Sequence, residues 1–243
     1  MSVWLRAATV LGDEFPSPDQ YPFNIPSFQG RRTLDFRGPV AFFVGEIGCG
    51  KSTLIKALAS RCGLHLWGQP QRHLRSGELT AKALGAHLRV TLAKDGVTGG
   101  LFSADSFRGW AEFLDDVARL DPGQAHYHGG AELTARSHGE GILAYFRARF
   151  QVPGLYFMDE PESALSPFSQ LELLRVLAKY QAQGEAQFVI ATHSPILMAL
   201  PGSQVFQFSG HGIEETTFHS TAHFRLYRDF LADPEAFLPP APD

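Results

Sequence analysis

The stretch VAFFVGEIGCGKST, Val40 to Thr53, is where the fold is legible. Its first five residues form an unbroken apolar run, as a strand covered on both faces of a sheet would. Gly45 to Thr53 then satisfies G-x-x-x-x-G-K-[ST], set between that strand and a helix expected over Ser52 to Arg61. Glycines there let the backbone curl until several N–H groups converge on phosphate oxygens. The helix N-terminus adds partial positive charge. Lys51 carries a full charge toward β- and γ-phosphates, and Ser52 offers a hydroxyl to Mg²⁺. Gly45, Glu46, Ile47, Gly48, Cys49, Gly50, Lys51, Ser52 and Thr53 are thus the candidate cradle for a nucleotide. The plain alternative is a glycine-rich strand-to-helix turn, which does not require Lys-Ser-Thr at this register. A thiol at a helix N-terminus can be acidified, yet Cys49 is better explained as a variable loop residue.

Two further apolar runs lie downstream. LYFMDEPESALS, Leu155 to Ser166, reads as a buried strand (Leu155 to Met158) with Asp159 and Glu160 directly after it. FVIATHSP reads as another, Phe188 to Thr192, followed by His193. In a parallel sheet all three runs deliver their last residues to one edge, where ligands bind. Asp159 suits Mg²⁺ and its water shell, and Glu160 can orient or activate an attacking water. His193 is placed to touch a γ-phosphate. Each has a plain reading, an acidic loop and a structural histidine; the cradle in the same chain favours chemistry.

Apolar strands alternating with amphipathic segments predict an α/β fold with a mainly parallel sheet. Strands are expected over Val3 to Leu11, Thr33 to Phe36, Arg89 to Leu92 and Gly100 to Ser103. A hairpin is expected around SGHG, from Val205 to Phe218. Helices are expected over Ser106 to Leu120, capped by Ser106, and over Gly139 to Phe150, Pro167 to Gln181 and Ala222 to Leu231. GDEFPSPDQYPFNIP is a loop, because its prolines lack the N–H donor and fix φ.

The chain has 243 residues, 44% hydrophobic and 19% charged, which suits one large α/β domain with a small subdomain. A net charge of -4 gives no overall field for gathering nucleic acid. Arg72, His73 and Arg75 make one short basic cluster, read as a solvated loop. Two cysteines, Cys49 and Cys62, do not make a disulfide framework and suit a reducing compartment. The segment MSVWLRAATVL lacks the pattern of a signal peptide, and no apolar run is long enough for a membrane span. A cytoplasmic protein with no integral membrane segment is expected. His126 to His128, HYH, lack the further ligands a metal site needs.

One stretch, ARSHGEGILAYF from Ala135 to Phe146, reads locally as a capped helix start. Taken in order, GEIGCGKST, SHGEG, LYFMDEPESALS and ATHSP resemble the motifs of ATP-binding-cassette (ABC) ATPases. YPFNIPSFQG, FSADSF, HGGAELTARSHGE and RDFLADPEAFL are similar, more narrowly, to a small family of stand-alone bacterial AAA-type ATPases of that superfamily. The resemblance runs from about Tyr21 to Val205 and implies a P-loop NTPase of ABC type. It implies an N-terminal antiparallel β part and a short helical subdomain at about residues 104–150, all within one domain, 1–243.

The resemblance also implies an ATP-dependent head-to-tail homodimer with two ATP molecules at its interface, and cofactors ATP and Mg²⁺. Ser52 and Asp159 would hold the metal, and Glu160 and His193 would be catalytic. SHGEG would be the signature, with the Ser137 hydroxyl and the Gly139 N–H reaching the γ-phosphate bound by the partner. On that reading Ser137 should be unsatisfied in the monomer. Tyr21 stands where an adenine-stacking aromatic is found, with Phe23 the competing choice and core packing open for either.

FSADSF has no glutamine where a metal-contacting one is expected; Asp105 is a substitute or a cap, and Gln124 an outside candidate. The short SHGEG departs from the longer Gly-Gly-Gln signature of transporters and favours the soluble branch. The alternative is the nucleotide-binding subunit of a membrane transporter. An unidentified protein or DNA is the expected partner of the soluble enzyme.

Overall fold

The computed structural model describes residues 3–64, 76–94, 96–120, 133–135 and 137–239. β1 (Leu5–Leu11) pairs antiparallel with β2 (Arg31–Asp35). β3 (Val40–Val44) leads through the glycine loop into α1 (Lys51–Arg61), and α2 (Ser76–Ala86) packs against α1. β4 (Leu88–Leu92) then joins the free edge of β1, giving an antiparallel sheet in the order β2-β1-β4. There follow β5 (Gly99–Ser103), α3 (Ala104–Leu120), α4 (His138–Arg149), β6 (Gly154–Asp159), α5 (Pro167–Gln183) and β7 (Ala186–Ala191). The short α6 (Pro195–Met198), the hairpin β8 (Gln204–Ser209) and β9 (Gly212–Thr216), and α7 (Ala222–Ala232) complete the order.

The larger sheet runs β5-β6-β7-β3-β8-β9 and is parallel except for β9, which returns antiparallel to β8. Strands β3, β6 and β7 are buried at every residue, because both faces of this sheet are covered. Alternation along each strand splits the core in two. Val40, Phe42, Val44, Tyr156, Met158, Phe188 and Ile190 pack with apolar residues of α3, α4 and α5. Ala41, Phe43, Phe157, Val189 and Ala191 pack with α1 and the antiparallel sheet. On the first face Phe150 stacks on Phe146 at 5.0 Å and meets Phe188 edge-on at 4.8 Å.

A buried polar side chain helps hold the two sheets together. Gln187, fully buried in β7, accepts from the N–H groups of Trp4 (2.9 Å) and Leu5 (2.7 Å). Its amide donates back to the Leu5 carbonyl at 3.0 Å. Gln187→Leu takes one partner from each of these buried groups and should cost about 2–4 kcal/mol, most of it desolvation left uncompensated. Urea unfolding should show a lower midpoint at an unchanged slope.

The structure departs from the sequence-based expectations in a few places. α2 was not expected; its inward residues Ala81 and Leu84 are buried beside α1. The strand expected over Arg89 to Leu92 is present as Leu88–Leu92 and belongs to the antiparallel sheet. α3 begins at Ala104, so Ser106 lies inside the helix and is not its cap. The physical reason is that β5 pairs to its last residue, Ser103 opposite Asp159, and the chain turns directly into the helix. Among the described residues no helix is long and apolar enough to cross a membrane. Cys49 and Cys62 are free, and burial pushes the Cys62 thiol up to about 12. Arg72, His73, Arg75, Gln124 and the HYH stretch lie outside the described residues.

Candidate nucleotide site

Strand register brings three motifs to one edge. Phe43 and Asp159 both pair with Ala191, so the ends of β3, β6 and β7 are level. The ladder continues one step beyond each strand, through Thr192 N–H to the Phe43 carbonyl (3.1 Å) and Glu160 N–H to the Ala191 carbonyl (3.0 Å). The glycine loop, Asp159–Glu160 and His193 therefore emerge together at the carboxyl edge of the parallel strands.

The loop is tightly built. Gly45 has φ +147, and a Cβ there would lie 2.6 Å from the Phe208 carbonyl oxygen, so only glycine fits. The buried Ser27 hydroxyl donates to the Cys49 carbonyl at 2.6 Å and braces the loop from outside. Gly50, in a left-handed conformation, is the N-cap of α1 and leaves the first helical N–H groups without a side-chain cap. Lys51 is buried and folds back on its own loop, its Nζ donating to the Gly45 (2.7 Å) and Glu46 (2.9 Å) carbonyls. Ile47 stands out into solvent, 90% exposed. Ser52 and Thr53 are half-buried in the first turn of α1, and the Thr53 hydroxyl is 2.9 Å from the Tyr21 hydroxyl. Tyr21 is 60% exposed beside α1, whereas Phe23 is buried against Phe15 and His87. The core-packing reading therefore belongs to Phe23, and Tyr21 is the aromatic ring exposed at this site.

The acidic pair is held differently at each residue. Asp159 is buried, and its Oδ2 is 2.9 Å from the Lys56 ammonium. Its Oδ1 is buried with no hydrogen-bond partner among the described residues. Glu160 has φ +47, a conformation disfavoured for a side-chain-bearing residue and often found at functional sites. Its Oε1 lies 3.7 Å from His193 Nε2, and the Ser163 hydroxyl is 3.2 Å from its Oε2. The His193 N–H donates to Glu162 Oε1 at 2.7 Å. Burial pushes the Glu162 carboxyl up. Burial, then the Lys51 charge, holds the His193 imidazole below its usual value, against the pull of Glu160.

The donor set can be tested against ATP and Mg²⁺. Among the described residues no three His, Cys, Asp or Glu side chains could hold a metal ion by themselves. Mg²⁺ is ordinarily held by one or two protein oxygens together with substrate phosphates. A buried, unpartnered Asp159 Oδ1 near a loop of unpaired helix N–H groups fits that mode.

The SHGEG stretch corrects one expectation. Ser137 is exposed but not unsatisfied: it is the N-cap of α4 in a capping box with Glu140. Its hydroxyl donates to Glu140 Oε2 at 2.6 Å, its N–H donates to the same oxygen at 3.1 Å, and its Oγ accepts from the Glu140 N–H at 3.4 Å. A carboxylate of the same chain thus occupies the helix start. Gly139 lies against the DEPESALS turn, where a Cβ would come 3.3 Å from Leu165 and 3.4 Å from the Ala164 carbonyl. Asp105 is the second residue of α3, two positions past Ser103, which pairs with Asp159.

Three side chains at the site were missed by sequence reasoning. Lys56 had a signal, being a lone cation within the buried run Leu54, Ile55, Ala57 and Leu58. Glu162 lay inside a quoted motif but drew no separate reading. His223, 3.3 Å from His193 through ring nitrogens, is thirty residues further on and had none.

This is the architecture of a P-loop ATPase fold: a central parallel sheet, the glycine loop after β3, and acidic residues at the end of β6, with β7 between the two strands. The comparisons narrow it. A family model described as "AAA domain" matches residues 23–86. A second, "AAA domain, putative AbiEii toxin, Type IV TA system", matches residues 110–199. Among solved structures, the SMC head domain from Thermotoga maritima aligns with a TM-score of 0.51 at 15% identity, covering 88% of this chain and 99% of that one. "An inward-facing conformation of a putative metal-chelate type ABC transporter" aligns at 0.52 and 16%, covering 93% of this chain and 88% of that one. At such identities the likeness is one of fold. A search of curated proteins finds no match. The chain has the fold of ABC-type ATPase structures, and two separate stretches of it match AAA-domain models.

Proposed function

We propose that this chain is a Mg²⁺-dependent ATP hydrolase whose two copies close head to tail on two ATP molecules. The observation that carries the proposal is the level ending of β3, β6 and β7, which puts the lysine loop, Asp159–Glu160 and His193 at one edge. On this reading Lys51 leaves its own carbonyls to hold the β- and γ-phosphates, and the loop N–H groups surround them. Tyr21 lies against the adenine. Ser52 and Asp159 would hold Mg²⁺, which supplies charge neutralisation on the phosphate oxygens. Glu160 orients a water and takes its proton, while His193 donates to the γ-phosphate.

Residues 1–243 are read as one domain, in which about 104–150 form the helical part that presents the signature. The signature completes the partner's site. Its capping box means that the partner's γ-phosphate must take the Ser137 hydroxyl from Glu140, so closure exchanges one anion for another at the α4 N-terminus. Closing and opening would drive a partner, a protein or DNA; ATPase rates with and without DNA distinguish the two.

Ser137→Arg is the direct test. An arginine at this exposed position blocks approach of a second copy without touching the chain's own loop. ATP binding by the monomer should stay within about 2-fold of wild type, while turnover falls to background, since interactions made only in the closed state are lost. Wild-type turnover in this variant would contradict the two-copy site.

A further inference from the structure

His223 Nε2 lies 3.3 Å from His193 Nδ1, with ring centroids 5.4 Å apart and planes inclined by 56°. We infer that His223 is a positioning residue that fixes the proton of His193 on Nε2, the nitrogen facing Glu160; this rests on the reading of His193 as a γ-phosphate contact. Which nitrogen of a histidine carries the proton is set by the hydrogen bond its other nitrogen makes.

Two neutral rings share one proton at this contact. Burial holds both imidazoles below their usual value, so the neutral pair is the relevant one. If His193 donated from Nδ1, its bare Nε2 lone pair would face the Glu160 carboxylate at 3.7 Å. If His223 donates from Nε2, His193 accepts at Nδ1 and presents Nε2–H to that carboxylate. The second arrangement is electrostatically favoured, and the same N–H suits a phosphate oxygen. His223 Nδ1 and His193 Nε2 are both buried without a hydrogen-bond partner among the described residues, so either arrangement leaves one N–H unpaired, and only the one on His193 Nε2 has a carboxylate facing it, at 3.7 Å.

The placement is built, not incidental. His223 is the second residue of α7, whose N-cap Thr221 is fully buried. The Thr221 hydroxyl accepts from the Phe224 N–H at 3.1 Å and donates to the Phe218 carbonyl at 2.7 Å, fixing the helix start. His193 is anchored from its backbone by Glu162. Two separate anchors thus aim the two rings at each other, and the last helix of the described chain reaches the catalytic edge.

The experiment uses the full chain, with ¹⁵N-labelled histidine. Long-range ¹H–¹⁵N correlation at neutral pH should show His193 as the Nε2–H tautomer in the wild type, its signals assigned by their loss in His193→Ala. An Nδ1–H His193 overturns the inference whatever the variants do. In His223→Leu, His193 should become a tautomer mixture and kcat should fall roughly 10-fold with KM for ATP little changed, the usual scale for removing an orienting partner. His223→Gln, which returns an N–H donor near the lost nitrogen, should recover most of the rate. Equal losses in both variants would mean a merely structural role and would also overturn the inference. His193→Ala run alongside separates the levels. Wild-type turnover in it sinks the reading of His193, whereas an impaired His193→Ala beside an unimpaired His223→Leu sinks only the inference about His223.

Discussion

Glu160→Gln should end steady-state ATP turnover while ATP binding survives. The substitution keeps the shape of a side chain that sits beside His193 Nε2 and the Ser163 hydroxyl. It removes the ability to take a proton from water, a contribution worth about 10²- to 10⁴-fold. It also removes a negative charge from the face where a γ-phosphate would arrive, so the ATP-bound closed state should accumulate. Phosphate release under saturating Mg²⁺-ATP measures the first effect, and fluorescent-nucleotide titration the second. Turnover near the wild-type rate would show that another group handles the water. Loss of binding together with turnover would show that Glu160 supports the loop instead.

Lys51→Ala should be the complementary defect, with nucleotide affinity lost first. The Lys51 ammonium is buried and already stripped of most of its water, so its exchange from two loop carbonyls to phosphate oxygens carries little new desolvation. A hydrogen bond to a charged group is worth about 1.5–3 kcal/mol, which is roughly 10- to 100-fold in Kd. Removing Lys51 also deprives the Gly45 and Glu46 carbonyls of their donor, so the empty loop should loosen as well. Isothermal titration with Mg²⁺-ATP reads the affinity, and an unchanged Kd would contradict the cradle.

Much of this arrangement was legible in the residues. VAFFV, LYFM and FVIA are apolar at both alternating positions, and only a sheet covered on both sides buries such runs. Once they are parallel neighbours, whatever follows each run meets at one edge, which is why Lys51, Asp159, Glu160 and His193 could be grouped in advance. Contacts that depend on side-chain reach were not legible. Lys56 meets Asp159 because the rise of α1 carries it back toward β6, and nothing in the spacing of the two motifs says so. His223 meets His193 only through the docking of α7 beside α6. The helix cap at Ser137 is legible in the sequence, but the open hydroxyl expected with it is not found. Local chemistry won, because in the monomer the nearest anion to a helix N-terminus is its own third residue.

The central claim is that the site is completed by a second copy of the chain. Sedimentation of Glu160→Gln with and without Mg²⁺-ATP tests it most directly. The account predicts a monomer without nucleotide, a species of twice that mass with Mg²⁺-ATP, and a monomer again when Ser137→Arg is added to the same chain. A chain that binds ATP and stays monomeric, or a dimer indifferent to Ser137→Arg, would contradict it.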